Sequence, residues 1–310
     1  MMQVFNEIND FIPPKEGMSI FIGKADALHL GHIALISEML QLSEKLDSKA
    51  GILSLIPDAS NPIFDSESLR FILTEEERQS FLSNWPIDYL IYQKMTREFT
   101  SIAPNDFVTQ ILVDKLAIRG VVVGWDFKFG LSRGGDTELL ARLSPELGFR
   151  LKIIKPVMVD DRPVKTTLIR ELLDMGKVRD AWRLLGYPFF VSGIVVEGKR
   201  LGHPLGFPTA NIQVPPEKIL PRKGVYVGRA LFDDTCKWGL INVGTRPTVS
   251  DEEKVNVEIW LKDFSDELYG SNIKIEFFTF IREEKKFSSM DELKIQVEKD
   301  KKDLESFIGM

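Results

Sequence analysis

The chain has 310 residues, 44% hydrophobic and 28% charged, an ordinary globular composition with apolar material for two cores, so two domains are expected. Forty Lys and Arg against 46 Asp and Glu leave a formal charge of −6, which speaks against a general nucleic-acid binder, since such a protein needs a basic footprint. Cys236 as the sole cysteine excludes an intramolecular disulfide and Cys-rich metal sites, while the lack of a leader-like N-terminus or a bilayer-length apolar run leaves no membrane partner and a cytoplasmic location as expectations.

The first half alternates strand-like and helix-like text. Met18 to Gly23 is a short apolar run ending at glycine, and from His32 onward Leu35, Ile36, Met39, Leu42 and Leu46 recur at helical spacing. Ile52 to Ile56 and Tyr89 to Tyr92 read as buried strands. A helix around Phe107 to Leu116 leads into the strand Val121 to Val123. Such alternation predicts a parallel sheet with crossover helices. Beyond Gly186-Tyr187-Pro188 the text changes. Phe189 to Val196, Gly224 to Phe232, Lys237 to Val243, Val255 to Leu261 and Ile273 to Ile281 are β-rich, and an amphipathic helix near Met290 to Phe307 closes the chain. An antiparallel sheet or small barrel follows. The expected domains are therefore residues 1–186, α/β, and 187–310, antiparallel β with a C-terminal helix.

Two stretches point to phosphate chemistry. Gly23-Lys24-Ala25-Asp26-Ala27-Leu28-His29-Leu30-Gly31-His32 lies between the first strand and the first long helix, where a parallel sheet collects ligands and a helix start offers free N–H groups. His29 and His32 would donate hydrogen bonds to phosphate oxygens, and Gly31 would let the backbone come close, stabilising charge that builds on an α-phosphate. Val123-Gly124-Trp125-Asp126-Phe127-Lys128-Phe129-Gly130 would shape a second wall of that cleft, or be a turn with aromatic packing. At Lys165-Thr166-Thr167-Leu168-Ile169-Arg170 the hydroxyls and cations of a helix start suit a triphosphate, with Thr166 as a plain N-cap the equal alternative.

The second stretch runs from Gly198-Lys199-Arg200-Leu201-Gly202-His203 to Gly206-Phe207-Pro208-Thr209-Ala210-Asn211. Its glycines and cations make a loop able to wrap phosphates. Thr209 and Asn211 are two apart, so on a strand they share a face, and their oxygens could reach one Mg²⁺. In Val255 to Leu261 the polar Glu258 points away from the aliphatic face, either as a general base for an attacking hydroxyl or as a solvated side chain.

Together these residues resemble the bifunctional bacterial riboflavin kinase/FAD synthetase family, in the family's order, from about Gly23 to Asp300. The most specific matches are Gly-Phe-Pro-Thr-Ala-Asn at 206–211, Pro221 with Gly224-Val225-Tyr226, and Asn242-Val243-Gly244-Thr245-Arg246-Pro247-Thr248, continued by Asp263-Phe264, Leu268-Tyr269-Gly270 and Arg282. The resemblance implies an N-terminal His-x-Gly-His nucleotidyltransferase-like domain that adenylylates FMN to FAD, and a C-terminal barrel that phosphorylates riboflavin to FMN. ATP would be the co-substrate of both. By the same likeness His29 and His32 contact ATP phosphates, Thr166 and Arg170 close on them, and Asp126 lies near the FMN phosphate. Gly23, Gly31, Gly198, Lys199, Gly202 and His203 would complete the nucleotide-binding sets, Thr209 and Asn211 would hold Mg²⁺, and Glu258 would activate the ribityl 5′-hydroxyl.

The departures concentrate in the first domain. The family reads Gly-Asn-Phe-Asp-Gly-Val-His where this chain has Gly23-Lys24-Ala25-Asp26-Ala27-Leu28-His29, so Ala27 replaces a glycine expected at positive φ. Lys165 stands for a serine, adding a phosphate contact or crowding one. In the second domain His203 replaces an arginine and Trp260 a histidine. The altered loop motivates a second reading, an active kinase with a weakened adenylyltransferase. A third, a flavin-responsive regulator without catalysis, is opposed by the intact Thr209, Asn211 and Glu258.

Overall fold

A computed structural model describes residues 1–198, 207–246 and 254–309, which form two compact units, Met1–Lys165 and Thr166–Met310. The first is built on strands β1 (Gln3–Phe5), β2 (Met18–Gly23), β3 (Lys49–Pro57), β4 (Tyr89–Met95), β5 (Ile118–Gly124) and β6 (Arg150–Ile154). They form one sheet in the order β1-β4-β3-β2-β5-β6, every pair parallel. Ile20 and Ile22 of β2 and Val121 and Val123 of β5 join the packed core with Phe107, Leu112 and Leu140. Strands covered on both faces read as continuous apolar runs, which is why β2 and β5 are visible in the sequence.

Helices α1 (Leu30–Lys45), α2 (Glu75–Leu82) and α5 (Thr137–Leu147) are joined by two single turns, α3 (Arg97–Thr100) and α4 (Pro104–Asp106). The helix expected around Phe107 to Leu116 is π-helical over Phe107–Lys115, with Leu116 N–H reaching back five residues to the Ile111 carbonyl. A small hairpin, β7 (Met158–Val159) and β8 (Arg162–Pro163), ends the unit.

The second unit opens with α6 (Thr166–Asp174) and α7 (Val178–Leu185), which the change of pattern at 186 assigns to the preceding domain. Both pack with the barrel: Trp182 stands edge-on to Phe278 at 5.4 Å, and Arg222 N–H donates to the Leu173 carbonyl. The barrel comprises β9 (Phe190–Val196), β10 (Thr209–Gln213), β11 (Gly224–Phe232), β12 (Thr235–Arg246), β13 (Lys254–Leu261) and β14 (Asn272–Arg282). It closes in the order β10-β13-β12-β11-β14-β9, antiparallel throughout, because β9 pairs with both β10 and β14. Closure removes the free edges an open sheet would expose. Helix α8 (Met290–Ile308) seals one side through Leu304 on Val225, Val227 and Leu240. The architecture is thus the expected one, a parallel α/β sheet followed by an antiparallel barrel and a terminal helix.

Candidate active sites

The first site forms where β2 hands over to α1. His29 is the N-cap of α1, and its Nδ1 accepts the backbone N–H of His32 at 3.2 Å. The two imidazoles stack at 3.8 Å between centroids and 10° between planes. A Cβ at Gly31 would lie 3.0 Å from Cε1 of His29, so glycine at this position lets the ring fold back over the helix start. Burial drives the pKa of His29 down to about 4 and that of His32 well below the usual imidazole range, the second pushed further by His29 and Arg78. Both rings are therefore neutral at pH 7. Because Nδ1 of His29 is an acceptor, its proton sits on Nε2, leaving that atom a donor.

The loop before His29 is tied down from the side. Asp26 is buried, its Oδ1 accepts Ile72 N–H at 2.8 Å, and its carbonyl accepts Leu73 N–H at 3.1 Å. Left-handed backbone occurs at Ala25 (φ 48°) and Leu28 (φ 42°) and not at Ala27. This corrects the expectation that the missing glycine at 27 carries the positive φ; the turn bends on either side of it so that Asp26 reaches inward. Left-handed residues cost roughly 1–2 kcal/mol each, a cost opposed here by full burial of Leu28 and by the bonds of Asp26.

Gly23 ends β2 opposite Ser54 of β3. Asp126, beyond the end of the neighbouring β5, pairs with Lys165 at 3.3 Å, and the Lys165 ammonium lies 5.2 Å from the Trp125 ring centre. The unusual lysine is thus engaged by the Trp125-Asp126 wall. Thr166 and Arg170 lie on α6, in the second compact unit.

The second site is a polar face on two adjacent barrel strands. β10 and β13 pair with Asn211 opposite Glu258 and Thr209 opposite Trp260. Asn256, two residues before Glu258 and so on the same face, donates from Nδ2 to Glu258 Oε1 at 2.6 Å and to Asn211 Oδ1 at 3.1 Å. Thr209 Oγ1 donates to Glu258 Oε2 at 3.4 Å. The four side chains form one network with the carboxylate at its centre. A Cβ at Gly198 would fall 2.0 Å from Asn211 Nδ2, so this glycine packs directly on the amide. Lys199, Gly202 and His203, with Pro247 and Thr248 of the second motif, lie outside the described residues. Trp260 faces α8, whose Lys301 ammonium stands 4.8 Å from its ring and 4.0 Å from that of Phe207.

Beside Thr209 lies a pocket of about 150 Å³ lined by Pro208, Ala210, Phe264, Leu268 and Tyr269 among others. Among the described residues no cluster of three His, Cys, Asp or Glu side chains could hold a metal ion. The donors present are hard oxygens, the Thr209 hydroxyl and the Asn211 amide. That set fits Mg²⁺, which takes few protein ligands and completes its shell from phosphates and water.

The FAD synthetase family matches residues 12–168 and the riboflavin kinase family residues 185–308. The chain belongs to the bifunctional riboflavin kinase/FMN adenylyltransferase family. The bifunctional riboflavin kinase/FMN adenylyltransferase of Escherichia coli (strain K12) is 32% identical over 299 residues, 96% of this chain and 95% of its own length. That of Haemophilus influenzae is 31% identical over 309 residues, 99% of this chain and all of its own. A macrolide-efflux protein from Streptococcus pneumoniae shares the fold, with a TM-score of 0.85 at 24% identity over 97% of each chain. Within this family assignment, Asn256 and Asp26 are positions the motif reading left without a role. The same-face spacing of Asn256 and Glu258 was a usable signal. Nothing local marked Asp26, whose partners come from residues more than forty positions away.

Proposed function

We propose that the chain makes FMN from riboflavin in its barrel and FAD from FMN in its α/β unit, with ATP as the co-substrate of both steps. The observation that carries this is the pair of family matches, one per half, in a chain whose relatives of full length have both activities in their names. In the barrel, the Glu258 carboxylate takes the proton of the ribityl 5′-hydroxyl as that oxygen attacks the γ-phosphate of ATP. Asn256 orients this carboxylate and the Asn211 amide together. Thr209 and Asn211 would hold Mg²⁺, which supplies charge neutralisation to the phosphates when bound. Gly198, Lys199, Gly202 and His203 would wrap the same phosphates.

In the α/β unit the FMN phosphate attacks the α-phosphate of ATP and pyrophosphate leaves, with no covalent enzyme intermediate. His29 and His32 would donate N–H groups to α-phosphate oxygens as charge gathers there. Neutral rings suit this task, being donors that do not trap the ground-state phosphate as tightly as a full charge would. Gly23 and Gly31 would let the backbone approach, and Asp126 would border the FMN phosphate. We place the functional boundary near 186, where the kinase match begins, and the site of action in the cytoplasm, with no nucleic-acid or membrane partner.

The test is an assay of the purified chain with riboflavin, Mg²⁺ and ATP. FMN should appear first and FAD second, with pyrophosphate released in step with FAD. Accumulation of FMN without FAD, when FMN is also supplied directly, would remove the second activity.

A further inference from the structure

Three buried side-chain polar atoms have no hydrogen-bond partner among the described residues: His32 Nδ1, Arg78 Nε and Tyr92 Oη. Tyr92 lies against the Arg78 guanidinium, and the charge of that guanidinium also acts on His32. Arg78 is 2% exposed, on α2, with Tyr92 and Phe71 rings each 5.8 Å from its Cζ. Its bonds are Nη1 to Ser54 Oγ at 3.0 Å and Nη2 to the Leu73 carbonyl at 3.5 Å, and no carboxylate pairs with it among the described residues. Ser54 in turn donates to the Lys24 carbonyl at 3.2 Å. The guanidinium is thus bonded, through one serine, to the loop that carries His29.

An arginine stays charged when buried, and a buried charge without a counterion is costly unless something of opposite sign arrives. The aromatic faces offset part of that cost. We propose that Arg78 is a positioning residue for adenylyl transfer: it braces the His29 loop through Ser54 and sets a fixed positive charge behind the His29–His32 pair. This rests on the reading of those histidines as phosphate contacts. Burial is the main reason His32 stays a neutral donor, and the charges of His29 and then Arg78 push its proton away in the same direction. The other charged or titratable groups that act on the pair are His29 itself, on His32, and Asp26, whose charge favours the protonated form of His29.

The experiment uses full-length Arg78→Met and Arg78→Lys. Adenylyl transfer to FMN is followed from pH 5 to 9, and riboflavin phosphorylation in the same preparation serves as the control. Histidine-ring NMR is tractable because the chain has three histidines. Arg78→Met should lose at least tenfold in kcat for adenylyl transfer while kinase activity stays within twofold, and His32 should begin to protonate at higher pH than in the parent. Arg78→Lys should keep the parent His32 titration and regain part of kcat. An Arg78→Met protein with adenylyl transfer within twofold, or with His32 titrating as in the parent, overturns the proposal. If Arg78→Met does not fold, Arg78→Lys decides: a raised His32 titration there, with the charge retained, overturns it equally. His29→Ala separates the two levels, since intact FAD synthesis in that variant would refute the site reading itself and not the role of Arg78 alone.

Discussion

Gly198 has no room for a side chain, because a Cβ would stand 2.0 Å from Asn211 Nδ2 and 2.6 Å from its Cγ. Either the strand end or the amide must move. Since Asn211 shares Asn256 with Glu258, displacement of one would disturb the other. Gly198→Ala should therefore lower riboflavin phosphorylation by tenfold or more and leave adenylyl transfer from supplied FMN unchanged, as separate assays of the two half-reactions would show. An intact kinase in that variant would mean that the amide is free to move. The glycine was readable in the sequence as the start of a candidate phosphate loop. Its role as a packing surface for Asn211 was not, because that depends on a neighbour thirteen positions away across a strand pair.

At the scale of elements, α8 is fastened to the barrel by an ion pair between buried Asp300 and half-buried Arg282. Both Asp300 oxygens accept from Arg282 of β14, at 2.7 to 3.1 Å, and Gln296 adds a bond at 2.9 Å. Removing Asp300 takes the carboxylate from Arg282, which is 21% exposed and keeps its bond to the Glu283 carbonyl, at a cost of about 1–3 kcal/mol. Asp300→Ala should lower the stability of the barrel by about that amount, read as a shift in urea midpoint with α8 exchanging amide protons sooner. The first loop offers a parallel case. Asp26→Ala leaves the buried Ile72 N–H without its acceptor, worth roughly 1–3 kcal/mol, and frees the turn that aims His29. Adenylyl transfer should fall with the kinase spared, measured on one preparation. The periodicity of α8 and of β13 was visible along the chain, whereas the fastening of each element lay in long-range partners.

For the molecule as a whole, the neutral histidines make stability depend on pH. His29 has a folded pKa of about 4 against an ordinary 6.5, so below 6.5 the unfolded chain takes up a proton that the native ring refuses. The contribution is fully present above pH 6.5 and is lost as pH falls toward 4, roughly 2 kcal/mol of it by pH 5. His32 acts in the same direction. Thermal unfolding followed from pH 7.5 to 5 should show a falling midpoint for the α/β unit, and His29→Gln should flatten that slope. A parent midpoint that is constant over this range would contradict the neutral assignment.

The sequence by itself determined the two-part architecture, since doubly covered parallel strands and alternating barrel strands have distinct apolar periods. It also carried both candidate phosphate motifs, because residues such as Thr209 and Asn211 lie at consecutive same-face positions. Tertiary structure alone decided that α6 and α7 pack with the barrel, that the left-handed turns fall at Ala25 and Leu28, and which partners Asn256, Asp26 and Arg78 meet. The reason is physical: local text encodes period and turn, while burial and pairing depend on which distant residues the fold brings within hydrogen-bond reach.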